Sequence, residues 1–216
     1  MRWAFKRVAV GMAVCLLASA CGGGEEPEPE RVMAEQQCDD TLSPAGARAL
    51  ETVLDTKRFS HDPRGGLERA VTGLVEDYPD SWMRTPGHTL CRASPPTGRD
   101  EVEIEFHLLR RDGDLPGDEH AADLHPYDMG VEALSGPRVA QLYVRCVSPR
   151  FEGSDERPAL VMAELDFRRS KLPDTLPIRE ANLTLLHSAT LAVVRKLGCE
   201  GDAGLAETPV FKALSE

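Results

Sequence analysis

Aromatic residues make up only 5% of this 216-residue chain, with two Trp, three Tyr and six Phe. That leaves little ring surface for stacking sugars or unpaired bases. Lysine is scarce as well, five against 20 Arg, and no basic cluster interleaved with aromatics occurs anywhere. Several motifs are missing outright. There is no CxxC pair for redox chemistry or zinc, no GxSxG or SxxK nucleophile, no HExxH and no DxDxDG calcium loop. The glycines at 22–24 have no strand before them and no helix after them, so they cannot cradle a phosphate. No internal repeat, coiled-coil heptad or second domain is visible.

What is present starts at the N-terminus, MRWAFKRVAVGMAVCLLASAC. Arg2, Lys6 and Arg7 form a positive region, residues 8–18 a short apolar core, and small residues lead into Cys21. The apolar run is too short for the roughly 30 Å of bilayer hydrocarbon, which points to a removable signal over residues 1–20. Leu17-Ala18-Ser19-Ala20 before Cys21 resembles the lipobox of bacterial lipoproteins, with Leu17 one position earlier than the usual leucine. The resemblance implies that Cys21 is diacylated through sulfur, becomes the mature N-terminus, and anchors the protein on the outer face of the cell membrane.

Three of the 25 basic residues lie in the signal, so the mature chain sets 22 bases against 36 acids, a net charge of −14. Such a surface repels nucleic acid and gains nothing from anionic lipid, so attachment rests on acyl chains. With Cys15 removed and Cys21 acylated, Cys38, Cys91, Cys146 and Cys199 remain. An even number in an oxidising compartment predicts two disulfides, in any of three connectivities.

Residues 21–37 read as a flexible Gly/Pro/Glu linker, and 38–216 as one globular domain. Ser43-Pro44 is a helix start, with Ala47, Leu50 and Leu54 at helical spacing to about Thr56. Asp62-Pro63 repeats the signal, with Asp62 as N-cap and Leu67, Ala70, Val71, Leu74 and Val75 as the stripe. Trp82 sits among turn formers in 79–87. Strands are expected at 88–94, 101–109, 138–147 and 159–168, with Glu101, Glu103, Glu105, Glu164 and Asp166 on a wet face. Residues 178–197, uncharged from Ala181 to Val194, predict a buried helix closed by Gly198. The tail 201–216 reads as extended, with Pro209-Val210-Phe211 docking locally. The expected fold is therefore α+β: two N-terminal helices, a four-stranded mainly antiparallel sheet, a long buried C-terminal helix and two disulfides.

The strings CDDTLSPAGARALETVLDTKRF (38–59), LYVRCVSPR (142–150) and NLTLLHSATLAVVRKLGCE (182–200) resemble those of uncharacterised streptomycete-type lipoproteins. The resemblance implies export, acylation and a host lineage. It carries no activity and no active-site residue.

Four groups of residues invite a chemical reading. Residues 110–130 crowd Asp112, Asp114, Asp118, Glu119, His120, Asp123, His125 and Asp128 together, oxygen and imidazole ligands for a divalent ion. Asp118, His120, Asp123 and His125 are the best metal candidates, though the spacing fits no established site. Ser60-His61-Asp62 is no triad, because adjacent residues cannot reach the required geometry. Glu101, Glu103 and Glu105 share a strand face at about 7 Å intervals, either solvated or docking a partner. His187 reads as a hydrogen-bonded core histidine, and the sequon at Asn182 falls in the buried helix. No catalytic constellation and no cofactor are implied. The expected function is a non-enzymatic binding module of unknown specificity, with another extracytoplasmic (envelope) protein or a cell-envelope component as partner. The alternatives are a carrier of a hydrophobic ligand, favoured by surplus apolar residues such as Leu160 and Met162 on the polar strand face, and a metal-dependent hydrolase using the 110–130 loop.

Overall fold

The computed structural model describes residues 31–60, 62–80, 84–109, 123–168 and 172–212. In chain order the elements are β1 (Arg31–Val32), α1 (Pro44–Leu54), β2 (Phe59–Ser60), α2 (Leu67–Asp77), β3 (His88–Ala93), β4 (Glu101–Leu109), β5 (His125–Tyr127), β6 (Glu132–Ser135), β7 (Val139–Cys146), β8 (Ala159–Arg168) and α3 (Leu176–Leu197). β1 and β2 pair as a small ribbon. The main sheet has six strands in the order β3-β4-β8-β7-β6-β5, every pair antiparallel.

The expected four-stranded sheet is thus corrected to six, with a separate two-stranded ribbon. β5 and β6 are only three and four residues long, too short to show alternation. β5 also contains Pro126, which an edge strand tolerates because its outer side needs no N–H. Residues 31–37 are not free linker. Val32 pairs with Phe59, and Val32, Ala34 and Gln37 are buried.

Ser43 caps α1 as its sequence predicts, its Oγ accepting the Gly46 N–H at 3.1 Å with Pro44 in the first turn. The helix ends at Leu54, where Asp55 turns left-handed at φ 44°. α2 departs from expectation. It starts at Leu67, and Asp62 does not cap it. Asp39 does, accepting the Leu67 N–H at 2.9 Å from 28 residues upstream. Local sequence cannot reveal a cap delivered by a distant turn.

One face of the sheet is covered. α3 lies over β6, β7 and β8, α2 over β3 and β4, and α1 packs on α3 as an outer layer. Val102, Ile104, Phe106 and Leu108 of β4, Leu142 and Val144 of β7, and Val161, Leu165 and Phe167 of β8 form one core with Leu183, Leu186, Val193 and Val194 of α3. The uncharged stretch of α3 is core, as its sequence implies, and among the described residues no helix is long and apolar enough to cross a membrane. α1 approaches α3 through Gly46, where a Cβ would stand 2.6 Å from that of Ser188. Ser188 Oγ accepts the Ser43 N–H at 2.7 Å in the same crossing.

Two disulfides are present, Cys38–Cys91 and Cys146–Cys199, each spanning 53 residues. The first ties the turn before α1 to β3. The second ties the end of β7 to the end of α3, where Gly198 closes the helix in the left-handed region at φ 74°. Beyond it the tail makes a 3-10 turn at Glu200–Gly204, not the extended chain expected there, and Phe211 rests edge-on against Tyr127 at 6.4 Å.

Candidate functional site

Of the residues proposed as metal ligands, only Asp123, His125 and Asp128 are among the described residues, and no metal site forms around them. Asp112, Asp114, Asp118, Glu119 and His120 lie outside the described residues, as do Cys21, the signal, His61 and Trp82. His125 sits in β5 and pairs with Asp174, before α3, at 3.5 Å. Asp128 pairs with Lys212 at 3.5 Å, and the Asp123 carbonyl abuts Gly136. Among the described residues no three His, Cys, Asp or Glu side chains converge as a metal site.

Two concavities flank α2. A cleft of about 350 Å³ is walled by Asp39, Asp40, Asp62, Arg69, Arg92 and the Cys38–Cys91 bridge. Its carboxylates serve the fold: Asp39 caps α2, and Asp62 is held below the usual carboxylate range by Arg64, whose Nε donates to it at 2.9 Å. Cys38, Asp39 and Asp40 all have positive φ, 56°, 60° and 54°, a run that side chains resist. A shallower depression of about 370 Å³ exposes His88, whose Nε2 meets Asp77 Oδ2 at 2.7 Å while its ring lies on Gly73.

The strongest arrangement is the sheet face turned away from the helices. Alternation places Glu101, Glu103 and Glu105 of β4 there, as the sequence implies, opposite Arg168, Asp166 and Glu164 of β8. The face is not uniformly wet, contrary to expectation. Glu103 is 1% exposed, bonded by Arg92 from β3 and paired with Arg168 from β8. Thr89 Oγ donates to Glu105 Oε1 at 3.0 Å. Desolvation raises the Asp166 carboxyl above its ordinary value despite Arg168 and Arg138 nearby.

A continuous chain of hydrogen bonds crosses the same face. The Tyr143 hydroxyl donates to Gln141 Oε1 at 2.9 Å, and Gln141 Nε2 donates to Glu164 Oε2 at 2.9 Å. Arg84 Nη2 reaches that carboxylate at 3.5 Å and His107 Nε2 at 3.3 Å. His107 Nδ1 stands 3.1 Å from the Thr85 carbonyl. A carbonyl only accepts, so Nδ1 carries the hydrogen and Nε2 accepts from Arg84. His107 is 5% exposed, and burial holds its imidazole below its ordinary value, hence neutral at pH 7. Burial likewise pushes the Tyr143 hydroxyl up. Each of these groups has a partner within the array.

Beside the array lies a second apolar cluster of Leu109, Leu134, Tyr143, Leu160 and Met162, with Leu124 and Val131 packed against it. Leu160 and Met162 therefore spend their apolar surface on the chain's own neighbours. Alternation over β4 exposed the carboxylates to sequence reading. Arg84, Arg92, Arg168 and Gln141 were missed as their partners, because strand order and register decide who stands opposite. His187 is core, 2% exposed, and Asn182 of the sequon is fully buried.

Compared with known protein families, curated proteins and solved structures, the chain matches none of them.

Proposed function

We propose that this protein is an exported lipoprotein, anchored through Cys21 on the outer face of the bacterial cell membrane, whose domain is a non-enzymatic binding module for another envelope protein. Two disulfides are compatible with an oxidising, extracytoplasmic setting. The lipobox-like 17–21 and the likeness of three strings to streptomycete-type lipoproteins support acylation and lineage. Only residues 21–30 separate the acylated end from β1, so the stretched chain holds the domain within about 36 Å of its anchor.

The observation that carries the binding reading is the ordered array on the outer sheet face. Glu103, Glu105 and Glu164 are held by named partners on rigid antiparallel strands. Side chains already fixed lose little rotamer freedom on association, which is what a recognition surface needs. The test places a photo-crosslinking residue at Glu105 or Arg168 on this face, and at Arg48 or Thr52 on exposed α1, in the anchored protein. A discrete adduct from the sheet positions alone is expected. Adducts of equal yield from α1, or none from the sheet, would overturn the reading. Labelled fatty acid entering the wild type but not Cys21→Ser tests the anchor separately.

A further inference from the structure

The two disulfides span equal lengths of chain but sit in different settings. Cys146 is fully buried, and its bridge closes the end of α3 onto the end of β7. Cys38 and Cys91 both line the cleft of about 350 Å³ at the β3 edge of the sheet, beside Asp40, Gly65 and Arg92. An opening of that size admits a small molecule or an extended side chain to the bridge. Access of this kind governs how fast a disulfide exchanges.

The same bridge holds a strained turn. Cys38, Asp39 and Asp40 are three left-handed residues in succession, none of them glycine, and such a run is costly unless its surroundings impose it. Among the described residues, two bonds lead from 38–41 to other parts of the domain. One is the bridge, and the other is the Asp39 cap on the Leu67 N–H. The Thr41 N–H and hydroxyl both turn back onto the Cys38 carbonyl, at 3.3 and 2.5 Å, within the turn itself. The flanks are fixed without the bridge. Gln37 Nε2 donates to Ser60 O at 3.3 Å, Leu42 is buried, and Ser43 N–H reaches Ser188 Oγ. The start of α2 is also tied to β3, through Gly66 N–H on Leu90 O at 2.7 Å. What the bridge secures is therefore short and sharply bounded.

We propose that Cys38–Cys91 is a thiol-exchange site: a dithiol entering the cleft reduces it in the folded domain, freeing residues 38–41 and uncapping α2. The sheet, α3 and Cys146–Cys199 stay intact. One thiolate of the dithiol attacks a sulfur of the bridge, giving a mixed disulfide and releasing the other cysteine as a thiolate, which takes up a proton. The second thiol then loses its proton and closes the dithiol's own disulfide, releasing the remaining cysteine, which is protonated in turn. Two electrons and two protons pass from the dithiol, which is oxidised, to the bridge, which becomes two thiols. With the bond open, residues 38–40 return to ordinary backbone conformations, and that relief favours the open turn. The Leu67 N–H then loses the carboxylate that caps it. The inference does not rest on the binding-module reading.

The test exposes the folded, full mature chain to dithiothreitol at neutral pH, blocks free thiols by alkylation at intervals, and locates the modified cysteines by mass spectrometry. Cys38 and Cys91 should be modified together, about ten-fold faster or more than Cys146 and Cys199. In denaturant, where no fold distinguishes the bridges, the two rates should converge. Hydrogen exchange on the singly reduced protein should show the Thr41 and Leu67 amides unprotected, with β4, β8 and α3 unchanged. Asp39→Ala, left oxidised, should expose the Leu67 amide with the bridge still closed. Equal rates in the folded chain, earlier loss of Cys146–Cys199, or a preference that persists in denaturant would overturn the site. A first reduction that loosens the whole domain, or a Leu67 amide indifferent both to reduction and to Asp39→Ala, would overturn the local release.

Discussion

The two faces of the six-stranded sheet are built by opposite means. Against the helices, β4, β7 and β8 turn an apolar surface, and Phe106, Leu142, Leu165 and Phe167 share one core with the helices that needs no polar partner. On the other face the same strands carry carboxylates, arginines, His107 and Gln141, with a small apolar cluster at one end. The first face is stabilised by area removed from water, which is non-directional. The second is ordered by hydrogen bonds and ion pairs, which are directional and contribute less net free energy each. The two faces are thus held by different means, one by buried apolar area and the other by directional bonds between named side chains.

Breaking the helix face should have the largest effect. Phe106 is fully buried, and Phe106→Ala should cost about 3–5 kcal/mol in denaturant unfolding. A smaller loss would show that the core collapses around the gap. Removing the Cys146–Cys199 bridge, which fixes α3 to β7 on this side, should lower stability by about 2–4 kcal/mol, read as a drop in Tm on paired Cys→Ala substitution.

On the outer face Glu103→Ala leaves Arg92 and Arg168 without their shared carboxylate and should cost about 1–3 kcal/mol. Equality with Phe106→Ala would erase the contrast between the faces. The pH dependence sharpens it. His107 is held below its ordinary 6.5 when folded, so the unfolded chain binds protons more readily, and stability should fall as pH drops below 6.5. His107→Gln should flatten the slope of unfolding free energy between pH 6.5 and 5 by up to about 1.4 kcal/mol per pH unit. An unaltered slope would mean that His107 does not contribute. The smallest change is expected from Glu164→Gln, under about 1 kcal/mol, because its ion pair with Arg84 is long and half exposed. That variant should nonetheless alter crosslinking from the outer face if the face binds a partner.

Sequence reading succeeded where the deciding pattern is local. The alternation over 101–109 and 159–168 coincides with β4 and β8, and Ser43-Pro44 with the start of α1. The uncharged run in 181–194 lies within α3. It failed where the decision lies with distant residues. β6 is held as a strand by pairing with β7, and β5 by pairing with β6, not by their own pattern. Asp62 had the local signature of a cap, yet Asp39, brought close by the turn that Cys91 anchors, occupies that role. The candidate site was half visible. Its carboxylates follow from alternation, but the burial of Glu103 depends on Arg92 and Arg168 arriving from strands on either side.

By itself the sequence determined the helical and strand periods, the acidic balance and the supply of cysteines for pairing, and it supplied the N-terminal pattern on which the proposal of export rests. These follow from side-chain spacing and composition, which need no knowledge of neighbours. Strand order, disulfide pairing, the cap on α2 and the partners of the outer-face carboxylates were decided only by tertiary structure. Each depends on which residues far apart in the chain come within a few ångströms, and hydrogen bonds, ion pairs and desolvation act only at that range.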